Sequence, residues 1–140
     1  MEDKGIAADA IASAKRWLAS AKANAAARNY DTALYSLEMA VEIALKALLF
    51  SLGADVPKTH FIGDFVMQIV KEDKHIPNEL SGSINNIIET FNALVTLRSV
   101  SGYIFETRTL VHELKDKYDK YFKEAEKIIT LCEKVTKVAK

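Results

Sequence analysis

The stretch from Tyr30 to His60 reads YDTALYSLEMAVEIALKALLFSLGADVPKTH and decides the fold. Its first two thirds are apolar on almost every side, which predicts a helix buried in the middle of a bundle. Asp31 is a suitable N-cap for this helix, and Gly53 is expected to end it because glycine tolerates a left-handed backbone. Pro57 then predicts a short turn, after which Thr59 is placed to cap the next helix.

One polar stripe interrupts the apolar surface of this helix. Glu38, Glu42 and Lys46 follow one another at intervals of four residues, so they lie along one face. Glu42 before Lys46 is the favourable order for an ion pair within a helix. Two interpretations remain open: an ordinary solvated stripe, or the polar wall of an active or binding site.

The composition indicates a globular, helical protein that forms one domain over residues 1–140. Of these residues 49% are apolar and 27% are charged, while glycine and proline are scarce. The 19 basic and 19 acidic residues cancel, which argues against a duplex nucleic-acid binder with a broad basic face. No apolar run approaches a membrane span and no secretion signal is visible, so we expect a cytoplasmic protein without membrane contact.

The rest of the chain adds four helices to the central one. They are predicted over residues 6–28, from Thr59, from Pro77 to a break at residues 99–102, and from about Thr109 onwards. The last helix carries apolar residues in alternating steps of three and four, which is typical of a packed seam. The seam residues are Val111, Leu114, Tyr118, Tyr121, Ala125, Ile128, Cys132 and Val135. We therefore predict an all-α, up-and-down bundle of about five helices.

The oligomeric state is predicted from the same central helix. A helix this apolar is either the core helix of a monomer or a helix that also packs against a second copy. We expect a homodimer, since closed two-fold pairs are the commonest assembly.

A metal or cofactor site is not expected from the sequence. The three histidines are far apart, and the single cysteine, Cys132, lies on the seam and is most simply a core residue. Glu38 and Glu42 could join carboxylates of other helices at two metal ions, but such sites use a Glu-x-x-His pair on each of two helices, and the sequence does not contain two such pairs. Glycine-rich phosphate-binding motifs are also absent.

The central stretch resembles the HEPN domain, named for higher eukaryotes and prokaryotes nucleotide-binding. The residues that carry the resemblance are Glu42 and Lys46 on the helix, Gly53 at its end, and Thr59-His60 after a short turn. The resemblance extends in weaker form over most of the chain, including the segment between residues 97 and 109. It implies an all-α fold of four or five helices and a homodimer.

The resemblance also implies a functional class. Many members of the family are metal-independent ribonucleases whose signature is an Arg followed, after four to six residues, by a His near the start of the last long helix. The His moves protons at the ribose or the leaving oxygen, and the Arg stabilises charge on the phosphate. Other members are inactive binding proteins, and many are encoded beside a minimal nucleotidyltransferase in toxin–antitoxin pairs.

The present chain departs from that signature. Arg98 is followed after four residues by Tyr103, so a tyrosine stands where a His is expected. Arg108 and His112 are separated by only three residues, which predicts that they lie one turn apart on the last helix. We take Arg108 as the candidate phosphate binder and His112 as the candidate acid and base, with Arg98 and Tyr103 as the second choice.

Glu42, Lys46 and Arg98 complete the candidate binding site, while His60 is expected to tie the turn to a neighbouring helix. The sequence therefore predicts a HEPN-like protein that binds a nucleotide, RNA or a partner nucleotidyltransferase, with weak or lost ribonuclease activity. The alternative is a dimeric interaction module without catalysis.

Overall fold

A computed structural model describes residues 4–138, and within that range the chain is helical without strands. About five helices were expected, and the structure has five of ten or more residues together with two short helical turns. The elements are α1 (Lys4–Ala26), α2 (Tyr30–Ser51), α3 (Gly63–Glu72), α4 (Asn78–Gly102), the single turn α5 (Ile104–Thr107), the 3-10 turn η1 (Val111–Leu114) and α6 (Lys115–Val138). The predicted all-α bundle is confirmed.

Helix α2 is the central element of the bundle. It packs against α1, α4 and α6, and its ends also contact η1 and α3. Its buried residues occupy every side of the helix, from Tyr30 near the start to Ser51 at the end. The unusual apolarity of α2 is therefore explained by neighbours within one chain.

The ends of the helices depart in detail from the sequence-based expectation. Helix α2 begins one residue before Asp31, and its N-cap is Asn29, whose carbonyl accepts a hydrogen bond from the Thr32 hydroxyl at 3.0 Å. Gly53 has the expected left-handed backbone, with φ of 75°. Thr59 does not cap α3. Its hydroxyl instead accepts a hydrogen bond from the amide of Phe61 within the connecting segment.

The segment before α6 was predicted less well than the helices. Helix α4 runs through the expected break and ends at Gly102. The chain then forms α5 and η1 before α6 begins at Lys115, six residues later than predicted. Arg108 ends α5 with a left-handed φ of 60°, a conformation that is uncommon for a residue with a side chain.

The predicted seam of α6 is confirmed. Leu114, Tyr118, Ala125, Ile128, Cys132 and Val135 are all buried, and Val111 and Tyr121 pack against the core. Among the described residues, none of the helices combines the length and the apolar composition that crossing a membrane requires.

The start of α3 approaches α4 so closely that Gly63 has almost no room for a side chain. A Cβ atom added there would lie 2.9 Å from Oδ1 of Asn92 and 3.3 Å from Cγ2 of Ile88. Gly82, exposed in the second turn of α4, would meet nothing within 4 Å. Close packing therefore requires that Gly63 lack a side chain, whereas it places no such requirement on Gly82.

We expect Gly63→Ala to lower the free energy of unfolding by about 1 kcal/mol, because Asn92 and the buried Ile88 must shift. Gly82→Ala is the matched control and should raise it by roughly 0.5–1 kcal/mol through helix propensity. Urea unfolding followed by circular dichroism measures both. A stabilisation of equal size in both variants would contradict the close approach of α3 to α4.

Candidate functional site

Two carboxylates of the polar stripe lie inside the protein. Glu38 is 0% exposed and Glu42 is 2% exposed, although both belong to the charged stripe of α2. The interpretation as a solvated stripe is therefore wrong for these two residues. Burying a carboxylate is costly unless it is paired or neutral, so the partners of each one define the site.

Glu42 has a cationic or polar partner on each of its oxygens. Its Oε2 accepts a hydrogen bond from Nζ of Lys46 at 3.1 Å, one turn further along α2. Its Oε1 lies 2.7 Å from Nδ1 of His60, in the segment between α2 and α3. His60 thus ties this segment to α2, as expected from the sequence.

Glu38 is reached from the opposite side by α4. Nη1 of Arg98 lies 3.4 Å from Oε1 of Glu38, and Nη2 of the same guanidinium donates a hydrogen bond to the Tyr35 hydroxyl at 2.8 Å. The Arg98 guanidinium also lies over the Tyr35 ring, 4.3 Å from its centre. These contacts fasten the end of α4 to the first half of α2.

The two carboxylates differ in their protonation. Burial is the largest cause that raises the pKa of Glu38 from its ordinary 4.5 to about 8, and the neighbouring Glu42 adds to it, while Arg98 opposes it. Burial also acts on Glu42, but hydrogen bonds from Glu38, His60 and Lys46 outweigh it and lower the pKa of Glu42. At neutral pH the pair therefore holds one proton, on Glu38.

The geometry around Glu38 supports this assignment independently. No donor among residues 4–138 reaches Oε2 of Glu38, which is fully buried. A proton makes Oε2 a donor instead of an unpaired acceptor, and the ionised Glu42 is the neighbouring acceptor. Arg98 is left beside a neutral group, so its positive charge is not cancelled there.

Glu38, Glu42 and His60 also form a possible set of metal ligands. One donor atom from each lies within 4.8 Å of the others. However, Lys46 and Arg98 already bind the two carboxylates. A cation at this place would have to displace both side chains and the shared proton.

A pocket of about 550 Å³ opens beside this cluster, between the last turns of α2 and the connecting segment. Lys46, Lys58, Thr59 and His60 supply its polar lining. Phe50, Val56 and Pro57 supply its apolar wall. Lys46 and His60 belong to both the pocket and the buried cluster, so the two features form one site.

The other candidate residues lie in the connection between α4 and α6. Arg108 is the last residue of the α5 turn and His112 lies in η1, so they do not share a helix as predicted. Both are exposed, as is Tyr103. The structure thus joins Glu42, Lys46 and Arg98 through the buried cluster, and it leaves Arg108, His112 and Tyr103 on the surface.

Two members of the cluster were not identified as site residues from the sequence. Glu38 was recognised as part of the polar stripe, but its contact with Arg98 was not predicted. Arg98 lies sixty positions further along the chain, and a separation of that length does not indicate which residues meet. Tyr35 precedes Glu38 by three residues and lies on the same side of α2. That spacing is the one feature of the sequence that places Tyr35 near Glu38.

Comparison with known proteins identifies a family but no individual relative. A model of the HEPN domain matches residues 7–138, nearly the whole chain. No curated protein and no solved structure matches the chain significantly.

The shared proton predicts how stability depends on pH. The folded protein holds a proton on Glu38 between about pH 4.5 and pH 8, where an unfolded chain has lost it. The free energy of unfolding should therefore fall as pH rises through this window. The pKa of Glu42 is lowered in the folded protein. Its contribution to the free energy of unfolding is therefore lost only as pH falls below the ordinary value of 4.5.

We expect Glu38→Gln to abolish the decline between pH 5 and pH 8, because glutamine keeps a donor toward Glu42 and does not titrate. Glu79→Gln, which removes an exposed glutamate of α4, should leave the decline unchanged. Urea unfolding at several pH values measures the slope. The shared proton is excluded if wild type and Glu38→Gln show the same slope.

Proposed function

The chain belongs to the HEPN domain family, and we propose on that basis that it is a helical protein that binds a nucleotide or RNA. The match covers residues 7–138, so the proposal concerns the whole bundle rather than a fragment of it. The observation that carries the proposal is the cluster on α2. Buried Glu42 holds Lys46 in place, and buried Glu38 holds Arg98 in place. These two side chains carry positive charges of the kind that bind a phosphate.

Arg98 is well suited to bind the backbone of RNA. Its guanidinium is oriented by Tyr35 and Glu38 and remains 18% exposed. Because Glu38 is neutral at pH 7, the charge of Arg98 remains available to a phosphate. The cation–π contact with the Tyr35 ring positions the guanidinium in addition to the hydrogen bond that the Tyr35 hydroxyl accepts from it.

Any cleavage activity is assigned to the connection between α4 and α6. We propose His112 as the acid and base and Arg108 as the phosphate binder, with Arg98 and Tyr103 as the second choice. A histidine exchanges protons near neutral pH, whereas the pKa of an ordinary tyrosine, about 10, makes it a poor base. The altered spacing of these residues favours weak or lost ribonuclease activity without a metal or cofactor.

The biological setting is a further part of the proposal. We propose that the protein acts in the cytoplasm, as one component of a toxin–antitoxin pair, with a minimal nucleotidyltransferase as partner. A gene for such an enzyme beside the gene for this chain supports the pairing. Capture of the purified enzyme by this chain tests it directly.

A second function, that of a dimeric interaction module, is favoured by exposed apolar side chains. Four of them lie between residues 100 and 110, in the connection before α6. They are Val100, Tyr103, Phe105 and Leu110. Tyr103 and Phe105 also contact each other, with ring centres 6.4 Å apart. Such a patch is suited to a second copy of the chain, and it includes the candidate Tyr103.

The nucleic-acid function predicts binding of single-stranded RNA by the wild-type protein. We expect Arg98→Ala to weaken that binding about tenfold, because a charged hydrogen-bond donor is lost. We expect any cleavage in the presence of EDTA to fall by about a hundredfold in His112→Ala. Fluorescence anisotropy and gel analysis of a labelled RNA measure these effects.

Lys123→Ala, on the exposed surface of α6, serves as the control for loss of a positive charge. Equal cleavage in wild type, His112→Ala and Arg98→Ala, or none in any of them, removes the ribonuclease activity and leaves binding alone. Absence of RNA and nucleotide binding in the wild type overturns the proposed function itself.

A dimer formed through the apolar patch should be disrupted by a charge placed within that patch. Phe105→Glu should convert the dimer to a monomer, since a charge would be buried at the contact. Phe61→Ser removes an equally exposed aromatic residue elsewhere and should leave the dimer intact. Light scattering after size-exclusion chromatography measures the mass, and a wild-type monomer at high concentration contradicts the proposal.

A further inference from the structure

We propose that the pocket between α2 and α3 is a binding site for the terminal phosphate of a nucleotide, defined by Lys46, Lys58 and His60. The ligand is either a free nucleoside monophosphate or the phosphorylated 5′ end of RNA, which present the same group. This inference deepens the proposed function and rests on it. It adds a place on the molecule and a chemical requirement that family membership does not supply.

The local sequence builds the pocket by reversing the chain after α2. Gly53 takes a left-handed backbone with φ of 75°, and its amide bonds the carbonyl of Phe50 at 3.1 Å. Pro57 limits the backbone of the following segment. This path brings Lys58 and His60 back beside Lys46, twelve and fourteen residues after it in the sequence.

The charge of the pocket favours an anion. Its described lining contains two lysines and a histidine, and none of the described lining residues is acidic. The nearest carboxylate partner, Glu42, is buried behind Lys46 and His60 and bonded to both. Lys58 is exposed and reaches the pocket from the connecting segment. A phosphate would thus meet cationic groups from two sides.

His60 is oriented for the same ligand. Glu42 is ionised, so the proton between it and His60 must lie on Nδ1 of the imidazole, 2.7 Å from Oε1. Nε2 is then left for a ligand, and the side chain is 48% exposed.

The apolar part of the pocket indicates that the phosphate is attached to something larger. Phe50, Val56 and Pro57 form a wall that inorganic phosphate would not use. The volume of about 550 Å³ lies within the range of small-molecule sites. Phe61 follows His60 directly and is 80% exposed, which is unusual for a large aromatic side chain. Phe61 does not line the pocket, but it is adjacent in sequence to His60, which does, and an exposed aromatic ring there is suited to stack on a nucleobase that extends from the pocket.

Lys58 provides the cleanest test, because it lines the pocket and the buried cluster does not depend on it. Calorimetric titrations with AMP, adenosine and inorganic phosphate measure the contribution of each part of the ligand. We expect AMP to bind at least about tenfold more tightly than either of the others. Lys58→Ala should weaken AMP binding about tenfold, and Lys123→Ala should leave it unchanged.

A second pair of probes distinguishes the two sources of the phosphate. One is a short RNA with a 5′ phosphate and the other is the same RNA with a 5′ hydroxyl. Stronger binding of the phosphorylated RNA than of AMP identifies the RNA end as the ligand, and the reverse order identifies the free nucleotide. Thermal unfolding of Lys58→Ala at the wild-type temperature confirms that the variant is folded.

The inference and the proposed function fail in different ways. The pocket inference is overturned, and the proposed function stands, if wild type binds RNA equally with either 5′ end and binds AMP no more tightly than adenosine. Binding of both AMP and 5′-phosphorylated RNA by Lys58→Ala as by wild type also overturns the inference. If wild type binds none of the nucleotides or RNAs, the proposed function fails and the inference fails with it.

Discussion

The burial of two glutamates on successive turns of the central helix is the constraint on which the rest of the site depends. Helix α2 is covered by α1, α4 and α6, so Glu38 and Glu42 cannot reach water. Their charges must be compensated inside the bundle or removed by a proton. The chain does both: Lys46 and His60 compensate Glu42, and Glu38 stays protonated.

This arrangement couples the fold to the site. Arg98 fixes the end of α4 against α2, and His60 fixes the connecting segment against the same helix. The first contact also places the Arg98 guanidinium at the surface, and the second places the His60 imidazole there. Their orientation is thus set by carboxylates that a ligand does not touch. A site of this kind is organised before a ligand arrives, which reduces the entropy lost on binding.

The sequence was sufficient for the architecture because the signals there are local and repeated. The apolar surface of α2 predicted a buried helix and the alternating steps of the last helix predicted a packed seam, and both are confirmed. The connection between residues 102 and 115 was not predictable in this way. Arg108 ends one of its short turns with a left-handed backbone, a conformation that an arginine in the sequence does not predict.

The site was predictable only in part, for a related reason. Glu42 and Lys46 are four residues apart, so the helix alone brings them together. The contact between Glu38 and Arg98 joins distant parts of the chain, and the protonation of Glu38 depends on burial by several helices. Neither property is visible in a spacing. The interpretation as a solvated stripe was wrong because it considered only the charges of these side chains and not their burial by neighbouring helices.

The protonation of the buried pair is best tested by a carbon-detected NMR titration of the glutamate side-chain carboxyl groups in the folded wild-type protein. Because the pair holds one proton at neutral pH, on Glu38, we expect the Glu38 signal to keep the chemical shift of a protonated carboxyl at pH 6.5 and to change near pH 8. A Glu38 signal that is already ionised at pH 6.5, with its transition near the ordinary value of 4.5, would contradict it.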